Sequence, residues 1–244
     1  MINSLLYYIL RKRFFPLIAW LAAAASAVLP FSSVQTLSGE PFRYLAIGNS
    51  ITRHPECAYW WSEAGMAASQ PERDYFHIVT DYLAEEHESV SASAVNFVEW
   101  EIAAADKSST YSVIDPLLSE NLDLITLQLS ENAVQSRSLG KNLADLVRYI
   151  QKKCPKAQLI IVDDFWSNAK SSAKKKTARS LNIPFADLSA IRGKEEYMQS
   201  LGGVVYGSDG GAHIIDREDV AKHPNDKGMA AIAQAIIKQI KKLK

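Results

Sequence analysis

The sequence predicts an α/β protein, a three-layer α/β/α sandwich around a five-stranded parallel sheet. Two observations carry this. From residue 42 onward, short apolar runs of strand length alternate with longer segments whose apolar residues recur at helical spacing. The runs 122–129 (LDLITLQL) and 158–163 (QLIIVD) are almost continuously apolar, the pattern of strands covered on both faces.

The elements follow in order. Residues 42–47 (FRYLAI) form the first strand. Residues 74–86 form a helix with Tyr75, Phe76, Val79, Tyr82 and Leu83 on its apolar side. A short second strand spans 91–97 (SASAVNF), a helix falls within 112–119, and 122–129 is the third strand. An amphipathic helix over 139–153 ends in Lys-Lys-Cys-Pro, 158–163 is the fourth strand, 169–181 a lysine-rich helix, and 183–188 a fifth, short strand. Residues 228–243 close the chain as a helix, with Ile232, Ala235, Ile236, Ile240 and Leu243 along one side.

The N-terminus has a different composition. Arg11, Lys12 and Arg13 precede an uncharged stretch from Phe14 to Pro30, and Ala25-Ser26-Ala27 fits the small-x-small pattern read by signal peptidase. Residues 1–30 therefore read as an export signal, with an uncleaved membrane anchor as the alternative. Residues 31–41 are a linker and 42–244 the folded domain. The expected location is outside the cytoplasm, periplasmic or extracellular, with membrane contact limited to that segment.

Lysine plus arginine and aspartate plus glutamate both number 27, which points away from a nucleic-acid partner. Two cysteines without a Cys/His cluster point away from structural zinc. Cys57 follows the first strand and Cys154 precedes the fourth, which places them at opposite ends of the sheet rather than in a bridge.

Parallel sheets flanked by helices place ligands at the carboxyl ends of their strands. There stand Ser50, then Asn96 and Glu99, then Ser130, Glu131 and Asn132, then Asp164, Phe165 and Trp166, with His223 just before the last helix. Gly48 lets the first strand turn sharply. Ser50 would then lie near the N-terminus of the next helix, its own N–H turned outward as an oxyanion donor. A serine hydroxyl needs an adjacent base, and His223, stiffened by Pro224 ahead of a helix capped by Asn225 or Asp226, is well placed for that. His54 is too near Ser50 in the chain for the reach and angle of a base.

Taken together, Gly48-Asn49-Ser50, Ser130-Glu131-Asn132 and His223-Pro224-Asn225-Asp226-x-Gly228 resemble the first, third and fifth blocks of the SGNH hydrolases, the GDSL-type esterases and lipases, over residues 42–243. The resemblance implies a flavodoxin-like sandwich and Ser50 as nucleophile. It also implies His223 as base, Asn132 with the Ser50 N–H as oxyanion donors, and neither metal nor organic cofactor. The departures are specific. Asn49 replaces the family's Asp and Ser130 its Gly, and strand two ends in Val-Asn-Phe without the glycine whose N–H completes the oxyanion hole, leaving Asn96 to order that loop. Val220 stands where the family has its acid, three residues before the histidine. Asp219 is then the expected acid, with Asp216 or a backbone carbonyl as alternatives. Trp60 and Trp166, with Asn49 and Glu131, are the candidate substrate contacts. The expected activity is hydrolysis of an acetyl or other short acyl ester through an acyl-enzyme, with carbohydrate as the expected alcohol half. An O-acyltransferase on a surface polysaccharide and an impaired glycan-binding protein are the competing functions.

Overall fold

The computed structural model describes residues 39–103, 106–133 and 138–243. The segments expected to be signal or anchor, and the linker as far as residue 38, lie outside the described residues.

Five parallel strands form the sheet: β1 Phe42–Gly48, β2 Val90–Asn96, β3 Leu124–Gln128, β4 Gln158–Val162 and β5 Phe185–Ala186, in the spatial order β2-β1-β3-β4-β5. Alternation along β1 explains the layering. Leu45 and Ile47 face one core with Ile125, Leu127, Leu159 and Ile161, against α3 (Leu139–Lys153) and α4 (Asn168–Ser180). Tyr44 and Ala46 face the other with Leu124, Ile160 and Val162, against α1 (Tyr75–Glu86) and α6 (Asp226–Leu243). Burial on both faces makes β3 and β4 mostly apolar, with Thr126 and Gln128 the buried polar residues of β3.

Three elements escape sequence patterning: the five-residue helix α2 (Val98–Ile102), the antiparallel hairpin of β6 (Val204–Tyr206) and β7 (Ala212–Ile214), and the four-residue helix α5 (Glu218–Ala221). The helix expected within 112–119 is instead a pair of 3-10 turns, Lys107–Val113 and Asp115–Leu117, split at Ile114, with Pro116 inside the second. Cys57 and Cys154 are both free thiols.

Register positions the site. Gly48 pairs with Asn96 of β2 and with Gln128 of β3, so the three strands end flush. Since β1 connects to β2 on one side and lies beside β3 on the other, the crevice above Gly48 sits at the switch point of the sheet.

Candidate active site

Gly48 is required by close approach. A Cβ there would meet Thr52 Oγ1 at 1.8 Å and the Gln128 carbonyl at 2.9 Å, far inside contact distance. The chain then turns back at once, with Thr52 and Arg53 N–H groups both donating to the Asn49 carbonyl. Ser50 sits on this tight turn, not at the helix N-terminus expected from sequence, since the next α-helix begins at Tyr75.

Asn49 is fully buried. Its Oδ1 accepts from the Ile51 N–H at 3.0 Å and its Nδ2 donates to Glu101 Oε1 at 3.0 Å. It shapes the turn and is not available to substrate, contrary to expectation.

His223 closes the other side. Ser50 Oγ and His223 Nε2 lie 2.8 Å apart, and His223 Nδ1 is 2.9 Å from the backbone carbonyl of Asp219. A carbonyl oxygen can only accept, so the ring hydrogen sits on Nδ1 and Nε2 is a bare acceptor toward the Ser50 hydroxyl. Burial is the main cause that lowers the ring's pKa to about 4, so the imidazole is neutral at pH 7.

The group behind His223 is not the expected Asp219 carboxylate. Asp219 reaches the ring through its main chain, because α5 ends immediately before His223 and leaves the Asp219 carbonyl without a helical partner. Its carboxylate instead takes both Nε (2.9 Å) and Nη2 (2.6 Å) of Arg217. Asp216 is exposed and makes no hydrogen bond to His223 among the described residues. Four-residue spacing on a helical turn brings the carbonyl, not the side chain, onto the ring.

The loop is held rigidly. The N–H of Gln199 donates to the His223 carbonyl (2.9 Å), Asn225 Nδ2 to the Met198 carbonyl (2.7 Å), and the Gly228 N–H to Asn225 Oδ1 (2.9 Å), capping α6. Gly228 is needed because a Cβ would lie 2.3 Å from the Tyr197 carbonyl. The histidine-proline-asparagine-aspartate run is therefore one capping structure with the imidazole at its head.

The third segment follows β3. Ser130 adopts φ +101°, a left-handed backbone that glycine adopts without strain, and its Oγ donates to buried Asp164 Oδ1 at 2.6 Å. Asp164 also pairs with buried Lys174 at 2.7 Å. Asn132 lines the cleft, and its Nδ2 donates to Glu101 Oε2 at 2.5 Å. Glu131 does not line it: its carboxylate turns inward to accept from the Phe165 N–H, and burial raises its pKa to about 8. Its carboxylate is therefore not a substrate contact, contrary to expectation. Glu101, one residue past Trp100 on α2, was not singled out from sequence; a charged residue in a short helix after a strand end carries no pattern of its own.

The open cleft has a volume of about 1100 Å³ and its walls include Ser50, His223, Asn132, Asn96, Tyr59 and Trp166. Trp166 lies edge-on to His223, centroids 4.9 Å apart, with its Nε1–H donating to the Lys222 carbonyl at 2.7 Å. Tyr59 carries the Arg217 guanidinium over its face at 4.1 Å. Trp60 is 1% exposed in a small core with Met66, Val205 and Val220, so it supports the wall from behind and cannot touch a ligand. His54 also lines the cleft, but its Nδ1–H donates to the Pro55 carbonyl at 2.7 Å, leaving His223 as the imidazole that meets Ser50. Asn96 Oδ1 accepts from the Val98 N–H at 3.1 Å, and among the described residues its Nδ2 makes no hydrogen bond. No group of three His, Cys, Asp or Glu side chains among the described residues converges to hold a metal ion.

No protein-family model matches the sequence, and neither does any curated protein. Among solved structures, the chain is similar to a two-domain esterase active on acetylated mannans, co-crystallised with mannopentaose (TM-score 0.56, 19% identity, covering 84% of this chain and 51% of that one). It is similar to TesA (0.53, 16%, covering 83% and 99%) and to a family two carbohydrate esterase from Clostridium thermocellum in complex with cellohexaose (0.52, 14%, covering 84% and 66%). At these identities the likeness is one of fold, and the chain spans about half the length of the mannan-active esterase.

Proposed function

We propose that this chain, which has the fold of the SGNH hydrolases, is a serine esterase that removes a short acyl group from a carbohydrate ester. The observation that carries the reading is the 2.8 Å contact between Ser50 Oγ and a His223 Nε2 whose tautomer is set by the Asp219 carbonyl. Neutral Nε2 takes the hydroxyl proton as Oγ attacks the acyl carbon. The carbonyl oxygen becomes an oxyanion, received by the Ser50 N–H, by the second N–H of Asn132 Nδ2 and by Asn96 Nδ2 after strand two. Collapse expels the alcohol, which takes the proton from His223, and leaves acyl-Ser50. Water then attacks with His223 again as base, releasing the carboxylic acid and restoring the serine.

The imidazolium formed midway has no carboxylate behind it. A carbonyl dipole stabilises it through Nδ1–H, so the unit is a dyad with a main-chain support. The open cleft with Tyr59 and Trp166 among its walls suits a sugar ring, and the carbohydrate esterases of similar fold support that substrate class. Release of acetate from acetylated polysaccharide, and turnover of p-nitrophenyl acetate, would be abolished in Ser50→Ala. Unchanged turnover in that variant would refute the nucleophile. Acceleration by added glycan, with acylated glycan as product, would redirect the reading to acyl transfer. Export belongs to the same reading and predicts a mature protein lacking the first 27 or so residues, checked by intact mass of the exported form.

A further inference from the structure

Glu101 is 1% exposed, and its two oxygens receive hydrogen bonds from both strand-end segments that flank the cleft. Oε1 accepts from Asn49 Nδ2 (3.0 Å), on the turn that carries Ser50, and from the Ser130 N–H. Oε2 accepts from Asn132 Nδ2 (2.5 Å) and, at 3.4 Å, from the Asn132 N–H. Lys107 caps the helix that bears it, its Nζ donating to the carbonyls of Trp100 (2.5 Å), Glu101 (3.1 Å) and Ala103 (3.0 Å).

We propose that Glu101 is a positioning residue for the esterase reaction: its buried carboxylate holds the Asn132 amide with nitrogen toward the oxyanion site and ties that amide to the turn of Ser50. The inference rests on the proposed function. Among the described residues, all four hydrogen bonds to the Glu101 carboxylate come from N–H donors, so the Asn132 amide meets it through Nδ2 and not through Oδ1. One N–H is thereby committed to Glu101 and the other is left for the cleft. Without the carboxylate nothing distinguishes the two amide orientations, and the flipped one presents an oxygen to the developing negative charge. A glutamine at 101 has nearly the same shape but places an NH2 against one of these donors. Its effect therefore reports hydrogen-bond polarity rather than volume.

The test is a double-mutant cycle on p-nitrophenyl acetate turnover with Glu101→Gln and Asn132→Ala, following kcat and KM separately. Loss of an oxyanion donor costs on the order of 10²-fold or more in kcat. The expected result is a fall in kcat of about 10- to 100-fold in Glu101→Gln with KM changed less than about threefold, and almost no further fall when Glu101→Gln is added to Asn132→Ala. Losses that multiply in the double variant, or a change confined to KM, would overturn the proposal. Thermal melting checks that each variant is folded; if Glu101→Gln is not, Glu101→Asp, whose shorter stem withdraws the carboxylate from the Asn132 amide, enters the same cycle with the same criterion. A wild type that neither turns over ester nor labels Ser50 with a fluorophosphonate sinks the esterase reading itself. A labelled, active wild type with multiplicative losses sinks the positioning role and leaves that reading standing.

Discussion

The loops bearing His223 and Asn132 face each other across the cleft and are held by opposite means. His223 leans on a neutral main-chain carbonyl supplied by the end of a four-residue helix. Asn132 leans on a buried carboxylate that also grips the nucleophile turn. Behind the histidine, where sequence logic expects a carboxylate, stands the Asp219 carbonyl, and a different carboxylate, Glu101, stands behind the amide. The difference teaches that orientation and charge are separable services. A ring with a single hydrogen-bonded tautomer needs only an acceptor. An amide that must not flip needs a partner that meets it as an acceptor.

The largest expected effect breaks the histidine side outright. His223→Ala removes the base, and kcat/KM should fall by about 10³-fold or more, measured on p-nitrophenyl acetate. A residual rate within tenfold of wild type would mean another group deprotonates Ser50.

Next is pH. In the proposed mechanism the neutral ring is the active form, and burial has lowered its pKa to about 4. Activity should therefore be level from pH 7 to about 5 and decline about tenfold per unit below 4, seen in a kcat/KM profile. A descending limb centred near the ordinary histidine value of 6.5 would show the ring to be solvated. The same shift acts on stability. Between 6.5 and 4 the unfolded histidine binds a proton that the folded one does not, so its contribution falls as pH drops through that window.

Asp219→Asn sharpens the contrast. Neutralising a true triad carboxylate costs about 10⁴-fold. Here the carboxylate holds Arg217 in solvent while the carbonyl serves His223, so the loss should stay under about tenfold, read from kcat. The smallest effect is Ser130→Gly. It relieves a left-handed backbone at +101° but removes a hydrogen bond to buried Asp164, and the two should offset to within about 1 kcal/mol in denaturant unfolding.

Much of the sandwich is legible in sequence because burial on two faces leaves a strong imprint. The continuous runs that become β3 and β4, and the one-sided helices α3 and α6, match their expected spans to within a few residues. The hairpin β6–β7 and the helices α2 and α5 are three to five residues long, too short for a period to show. In the site, Ser50, Asn132 and His223 stand out because a turn glycine, a polar strand end and a capping motif surround them. Trp60, Asn49 and Glu131 share the same neighbourhood in the chain, yet all three turn inward.

The residue types themselves determined a parallel sheet and a serine, an amide and a histidine at its carboxyl edge, because strand ends and helix caps are local events with local chemistry. Only the tertiary structure decided what supports them. Whether Asp219 offers its carboxylate or its carbonyl depends on where α5 stops, and whether Glu101 faces solvent or Asn132 depends on how α2 packs over the ends of β1 and β3. Those are matters of direction, and side-chain direction is set by packing between segments distant in the chain.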